Sequence, residues 1–90
     1  PWALPLGLAP VLVAEDNPVN RMVIARQLQR LRVPAVIVED GAAALARWRG
    51  DAARFSLLLT DLHMPGVDGE ALCAAIRAEE AAGRRLPIIA

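Results

Sequence analysis

The chain has 90 residues, of which 56% are hydrophobic and 22% are charged, with ten basic and ten acidic side chains. This composition predicts one small globular domain and excludes an intrinsically disordered chain, because there is ample apolar surface to bury. The charges cancel, so no overall field attracts nucleic acid or an anionic membrane surface, and we expect this domain to bind neither.

The first ten residues are predicted to be a tail that precedes the domain. Several prolines interrupt the apolar segment "PWALPLGLAP", and no positively charged region precedes it, so it does not resemble a signal peptide. Apolar residues alternate along it, which leaves open a second interpretation in which the tail lies against an apolar surface. No apolar run approaches the ~20 residues of a membrane helix, so we expect no membrane contact by this segment.

The first predicted strand, "VLVA" at residues 11–14, is a continuous apolar run typical of a strand buried on both faces. Two acidic residues, Glu15 and Asp16, follow it. Asn17 is a favourable N-cap, and Pro18 suits the first position of a helix because its missing N–H costs nothing there. Residues 15–18 therefore predict a short acidic turn that leads directly into a helix.

The first predicted helix extends to about Leu31 and precedes Pro34. Ile24, Leu28 and Leu31 recur at helical spacing, so we expect them to form its inward stripe. The polar side chains on its other positions are predicted to face water: Arg21, Arg26, Gln27 and Arg30. Asn17 and Asn20 are interpreted as capping and surface groups, although Asn17 borders the acidic turn.

"AVIV" at residues 35–38 predicts a second strand, and Asp40-Gly41 predicts a turn. The helix after this turn would place Ala42, Leu45 and Trp48 on one side and stop at Gly50. Trp48 is interpreted as a core residue rather than a binding platform, because only 3% of the chain is aromatic.

"FSLLLT" at residues 55–60 predicts the third strand, and "LPIIA" at 86–90 predicts the fourth. Between them lies a third helix with Asp68 as N-cap, Leu72 and Ile76 facing inward, and Gly83 at its end. Its Cys73 is interpreted as a small hydrophobic residue rather than a nucleophile. A single cysteine also favours a reducing, intracellular compartment.

Strands and helices thus alternate from end to end of the chain. Parallel neighbouring strands need long crossovers, which the helices supply, so the alternation predicts an open α/β parallel sheet. In the doubly wound order 2-1-3-4 the winding direction reverses between strands 1 and 3. That reversal opens a crevice at their carboxyl ends, where such sheets bind ligands.

Three carboxylates are predicted to meet at this crevice. Glu15 and Asp16 follow strand 1, and Asp61 follows strand 3 in the segment "TDLHMPG". Three negative charges held close together are costly unless a cation compensates them. Because oxygen ligands of this kind suit Mg²⁺, the three side chains together predict a magnesium site, whereas Asp61 alone would be interpreted as a turn residue.

Four motifs, "VLVAED", "NPVN", "EDGAAAL" and "LLLTDLHMPGVDG", resemble the receiver domain of response regulators. The resemblance is to CheY-like domains, particularly the receivers of hybrid sensor histidine kinases, and it covers residues 11–90. It implies a flavodoxin-like fold, a partial receiver domain at 11–90 behind a linker at 1–10, and a cytoplasmic location within a parent protein that can itself be membrane-bound.

The resemblance also implies roles for particular residues. Asp61 would be the phosphoacceptor, receiving its phosphoryl group from a histidine kinase or a histidine phosphotransfer domain. Glu15 and Asp16 would hold Mg²⁺ together with Asp61 and the backbone carbonyl of His63. The imidazole of His63 is the alternative ligand, which a site of hard oxygen donors disfavours.

The sequence departs from the family pattern at its end. Receivers have a fifth strand, further helices, a hydroxyl residue after the fourth strand and a lysine after the fifth, whereas this chain ends at Ala90 and contains no lysine. We therefore expect an incomplete sheet whose fourth strand is an open edge. Such an edge favours self-association unless the tail covers part of the gap.

Three functions are compatible with these patterns. The first is a phosphoacceptor module of a phosphorelay, which promotes its own phosphorylation. The second is an interaction module without phosphotransfer, and the third is a Mg²⁺-dependent phosphohydrolase that forms an aspartyl phosphate. The third class usually places a second aspartate two residues after the nucleophile, where this chain has His63.

Overall fold

Strands and helices alternate in the computed structural model, which describes residues 9–50, 55–60, 68–80 and 85–89. The elements in chain order are β1 (Val11–Ala14), α1 (Pro18–Arg30), β2 (Ala35–Val38), α2 (Gly41–Gly50), β3 (Leu57–Thr60), α3 (Gly69–Glu79) and β4 (Ile88–Ile89). The strands pair in parallel in the order β2-β1-β3-β4, so the predicted doubly wound sheet is confirmed.

The register brings the carboxyl ends of the three longer strands to one edge of the sheet. Ala14 pairs with Val38 on one side and with Thr60 on the other. The N–H of Glu15 continues the ladder by donating to the carbonyl of Val38 at 3.1 Å. All four residues of β1 are buried, as expected for a central parallel strand.

The main core lies between the sheet and the helices α2 and α3. Its fully buried side chains include Leu12 and Leu58 from the sheet and Leu72 and Ile76 from α3. Trp48, only 5% exposed, packs into the same cluster, as predicted. Leu72 and Ile76 also face inward as predicted.

The predicted inward side of α2 was wrong at one position. Ala44 is buried with Trp48, and Leu45 is half-buried, whereas Ala42 is exposed. Residues 44 and 48 lie four apart on one face, while residue 42 lies about 200° around the helix from residue 44. Gly50 is the last helical residue, not the stop after the helix.

The opposite face of the sheet carries α1, which packs more loosely. No residue of α1, all of which the structure describes, is buried. Ile24 and Leu28 are half-buried on its inner side, as predicted, but Leu31 is 56% exposed. The helix ends at Arg30, and Arg32 then adopts a φ of 58°, so Leu31 does not continue the stripe.

The predicted caps are confirmed where the structure describes them. Asn17 caps α1, and Asp68 caps α3 by accepting from the N–H of Ala71 at 2.8 Å. Asp40 does the same for α2, because its Oδ1 accepts from the N–H of Ala43 at 2.7 Å. The predicted end of α3 at Gly83 lies outside the described residues.

The strand β3 begins later than predicted. The strand starts at Leu57, and Ser56 precedes it. The N–H of Ser56 donates to the carbonyl of Pro10 at 3.0 Å, and its hydroxyl donates to that of Ala9 at 2.7 Å. Phe55 precedes the strand but is buried in the main core. These bonds anchor the chain just before β1; the predicted tail at 1–8 lies outside the described residues.

Candidate functional site

The acidic turn after β1 combines one buried carboxylate with one exposed carboxylate. Glu15 is 8% exposed, while Asp16 is exposed. An oxygen of Glu15, Oε1, accepts a hydrogen bond from the N–H of Asn17 at 3.1 Å. This hydrogen bond helps to define the shape of the turn.

The side chain of Asn17 is committed to the helix that follows. Its Oδ1 accepts from the N–H groups of Val19 at 2.8 Å and Asn20 at 3.1 Å. These bonds satisfy two donors that have no partner within the helix, which is the usual role of an N-cap. The interpretation of Asn17 as a capping residue is confirmed, and its position ties the start of α1 to the acidic turn.

Arg21 also belongs to this site, although the sequence analysis placed it on the water-facing side of α1. It is half-buried, and its Nη1 donates to the carbonyl oxygens of Glu15 and Asp16 at 3.0 Å each. The available signal was the spacing: an arginine in the first turns of a helix is long enough to reach back to the turn that starts it.

The end of β3 lies beside the end of β1. Thr60 is the last residue of β3, is 6% exposed and pairs in register with Ala14. Asp61 follows Thr60 in the sequence just as Glu15 follows Ala14. Asp61 and His63 themselves lie outside the described residues, so their predicted roles are taken up below as proposals.

A groove of about 320 Å³ opens beside the acidic turn on the α1 side of the sheet. Its lining is apolar except at one end, where Glu15 and Thr60 contribute polar groups. The apolar part is lined by Val13, Ala14, Ile24, Leu59 and Ile89. The buried carboxylate of Glu15 therefore borders a low-polarity floor, which makes its negative charge costly unless it is compensated.

The two described carboxylates suit a hard divalent cation. Glu15 and Asp16 form no ion pair with any side chain in the described part of the chain, where the ion pairs are Arg49–Glu79 and Arg77–Glu80. Within those same residues no cluster of three or more metal-binding side chains occurs. Mg²⁺ is commonly bound through one or two protein carboxylates plus water and phosphate oxygens, so an adjacent pair fits this ion.

Comparison with known proteins decides the family. The family model described as "Response regulator receiver domain" matches residues 11–90, which is most of the chain. The chain belongs to the response regulator receiver family. The parallel sheet in the order β2-β1-β3-β4 is accordingly that of the CheY-like, flavodoxin-like receiver fold.

The similar curated proteins carry this receiver as a small part of a long chain. The virulence sensor protein BvgS of Bordetella pertussis is 43% identical over 72 residues, which cover 80% of this chain and 6% of BvgS. The sensor histidine kinase AruS of Pseudomonas aeruginosa is 38% identical over 91 residues, which cover all of this chain and 9% of AruS. The chain thus spans less than a tenth of the length of these relatives.

A solved receiver has the same backbone arrangement. The receiver domain of the histidine kinase CKI1 from Arabidopsis thaliana, complexed with Mg²⁺ and BeF₃⁻, superposes with a TM-score of 0.74 at 27% identity. The match covers 89% of this chain and 62% of the CKI1 chain.

Proposed function

We propose that this receiver is the phosphoacceptor module of a two-component phosphorelay and that Asp61 accepts the phosphoryl group. The register of β1 and β3 carries the proposal. It places the residue before Asp61 directly beside the residue before the Glu15–Asp16 pair. The similarity to receivers of hybrid sensor kinases supports the same function.

The proposed reaction transfers one phosphoryl group to a carboxylate. An oxygen of Asp61 attacks phosphorus, while the bond from phosphorus to the donor breaks, either to nitrogen of a phosphohistidine or to oxygen of a small phosphodonor. An acyl phosphate forms on Asp61, and the leaving group keeps the electrons of the broken bond. The chain contributes mainly the position of the nucleophile.

Glu15, Asp16, Asp61 and the backbone carbonyl of His63 are proposed to hold Mg²⁺. When bound, the cation offsets the negative charge of the carboxylates and of the incoming phosphoryl group. The oxygen-only character of Glu15 and Asp16 supports this ligand set. The Mg²⁺ bound to the CKI1 receiver supports the choice of ion.

The proposed partner is a histidine kinase or a histidine phosphotransfer domain. Exposed apolar side chains of α1 lie just beyond the acidic turn, namely Val19 (63% exposed), Met22 (53%) and Val23 (46%). A partner that brings a phosphohistidine to the turn would contact this surface. Self-association through β4 and the absence of nucleic-acid binding stay predictions.

A cytoplasmic location, within a parent that can be membrane-bound, is also proposed. Support comes from relatives such as BvgS and AruS, which are a sensor protein and a sensor histidine kinase. Among the described residues, no helix has the length and apolar character needed to cross a membrane.

Labelling with a small phosphodonor tests the function. The chain is incubated with acetyl phosphate and Mg²⁺, and its intact mass is followed over time. We expect a transient gain of one phosphoryl group that EDTA prevents and that Asp61→Asn abolishes. Asp68→Asn is the matched control and should still be labelled, because asparagine also caps a helix.

Two results would contradict the phosphoacceptor function. Absence of labelling under conditions that label a known receiver would favour an interaction module without phosphotransfer. Repeated turnover of a phosphate ester, with release of inorganic phosphate in excess of the protein, would favour the phosphohydrolase.

A further inference from the structure

The side chain of Arg21 contacts the backbone of the acidic turn and not the two carboxylates of the turn. Its Nη1 donates to the carbonyl oxygens of Glu15 and Asp16, and both distances are 3.0 Å. Hydrogen bonds from a charged donor are stronger than those between neutral groups. Because one nitrogen holds two successive carbonyl groups, it restricts rotation of the peptide unit between them.

The backbone conformation of the turn matters more for the position of the Asp16 carboxylate than for that of the Glu15 carboxylate. Glu15 is buried, and its Oε1 is held by the N–H of Asn17. Asp16 is exposed, and its carboxylate forms no hydrogen bond or ion pair with a residue in the described ranges. The direction in which Asp16 projects is therefore set by the peptide units that Arg21 holds.

We propose that Arg21 is a positioning residue that holds the Glu15–Asp16 turn in the conformation that binds the divalent cation. The inference rests on the proposed function, since it takes both carboxylates as cation ligands. Arg21 would act without touching the cation, by reducing the freedom that the turn loses when the cation binds.

The positive charge of Arg21 opposes this effect. A guanidinium near the turn repels a divalent cation, but salt and water weaken repulsion at an exposed site. Residues that orient metal ligands typically change metal affinity by about 10- to 100-fold. We therefore expect positioning to outweigh repulsion, so that removal of Arg21 weakens cation binding.

Titration with Mn²⁺ alone tests the proposal, because free Mn²⁺ is counted directly by electron paramagnetic resonance. Arg21→Met removes the donors and the charge, and we expect it to weaken Mn²⁺ binding about tenfold. Arg21→Lys keeps a long cationic donor and should restore most of the affinity. Arg26→Met is the matched control, since Arg26 is exposed on the same helix, and it should bind as the wild-type chain does.

Circular dichroism at the titration temperature separates positioning from loss of the fold. A merely structural role would lower the unfolding midpoint but leave the Mn²⁺ affinity of the folded chain unchanged. If Arg21→Met is unfolded, Arg21→Gln, a shorter neutral donor, takes its place in the titration. Recovery of affinity in Arg21→Lys, which keeps a long hydrogen-bond donor, without recovery in Arg21→Met or in the shorter Arg21→Gln would support the proposal.

The outcomes distinguish this inference from the proposed function. Equal or tighter Mn²⁺ binding by Arg21→Met would overturn the positioning role while leaving phosphorylation of Asp61 intact. An equal loss in Arg26→Met would also overturn it, because the loss would then not depend on the hydrogen bonds from Arg21 to the turn. A wild-type chain that binds no Mn²⁺ would overturn both.

Discussion

Arg32 has the positive φ of 58° that closes α1, and it is the one non-glycine residue in the described ranges with such a backbone conformation. Its N–H donates to the carbonyl of Gln29 at 3.0 Å, and the N–H of Val33 donates to that of Leu28 at 2.9 Å. This pair of bonds is the Schellman motif, in which glycine usually occupies the left-handed position. Arg32 therefore carries backbone strain that glycine would avoid.

We expect Arg32→Gly to stabilise the chain by about 0.5 to 1 kcal/mol. Relief of the left-handed strain exceeds the extra freedom that glycine gives the unfolded chain. Urea unfolding measures the change. Arg26→Gly is the matched control in right-handed helical backbone and should destabilise by about 1 kcal/mol. A loss of stability in both variants would contradict the interpretation of Arg32.

The surroundings of Cys73 change the pKa of its thiol. Burial raises the pKa of its thiol, with a smaller opposing effect from Arg77, so the neutral form is favoured. A neutral thiol is a poor nucleophile. The partial burial of Cys73 thus supports its interpretation as a small hydrophobic residue.

At the scale of elements, Glu80 joins the end of α3 to the approach to β4. Its carboxylate accepts from Nη1 of Arg77 at 2.8 and 3.0 Å and from the N–H of Leu86 at 2.5 Å. These bonds lower the pKa of Glu80 below its ordinary value of 4.5. The hydrogen bond from Arg77 is the largest cause, and the hydrogen bond from the N–H of Leu86 is the second. Leu86 is itself buried in the main core, so this carboxylate anchors the chain as it enters β4.

The pH dependence of stability tests this link. Because folding lowers the pKa of Glu80, its contribution is present above the unfolded pKa and is lost as pH falls through the folded pKa. We expect Glu80→Gln to be less stable than the wild-type chain at pH 7, and the difference to shrink as pH falls below about 4.5. Urea unfolding at several pH values measures it.

Glu39→Gln is the control for that experiment, because Glu39 is exposed and makes no hydrogen bond to a described residue. The free energy of unfolding of Glu39→Gln should stay close to that of the wild-type chain at every pH. A gap between the wild-type chain and Glu80→Gln that stays constant from pH 7 to pH 3 would show that the ionised carboxylate of Glu80 contributes nothing.

At the scale of the whole molecule, the two faces of the sheet are unequal. The face under α2 and α3 contains fully buried side chains such as Leu58, Leu72 and Ile76. The α1 face contains a groove, and no residue of α1 is buried. Hydrophobic stabilisation follows buried apolar area, so the α2 and α3 face supplies most of it.

Two leucine-to-alanine variants compare the faces directly. Leu72 is fully buried and Leu31 is 56% exposed. We expect Leu72→Ala to lower the free energy of unfolding by about 3 kcal/mol and Leu31→Ala to change it by less than about 0.5 kcal/mol. Urea unfolding measures both. If Leu72→Ala does not fold, Ile76→Val provides a milder loss of about 1 kcal/mol.

Equal losses in Leu72→Ala and Leu31→Ala would contradict this assignment of the core. They would instead support the inward stripe of Ile24, Leu28 and Leu31 that helical spacing alone predicts.

The order of elements, the doubly wound sheet and the helix caps at Asn17 and Asp68 could all be predicted from the sequence. These features follow from short-range rules, because apolar runs, N-cap residues and crossover lengths act within about 15 residues of chain. The acidic pair at Glu15 and Asp16 was found in the same way, since its position after a strand is a local property.

The directions and contacts of several side chains on α1 and α2 could not be predicted in this way, because they depend on how the helices pack. Helical spacing placed Leu31 and Ala42 inward and Arg21 in water, but burial depends on where each helix ends and on which strands it covers. Arg21 reaches the turn because α1 begins beside it and folds back over the sheet. Spacing along the chain puts the turn within reach of Arg21, but whether a long side chain extends into water or folds back onto backbone carbonyls depends on the path of the chain in three dimensions.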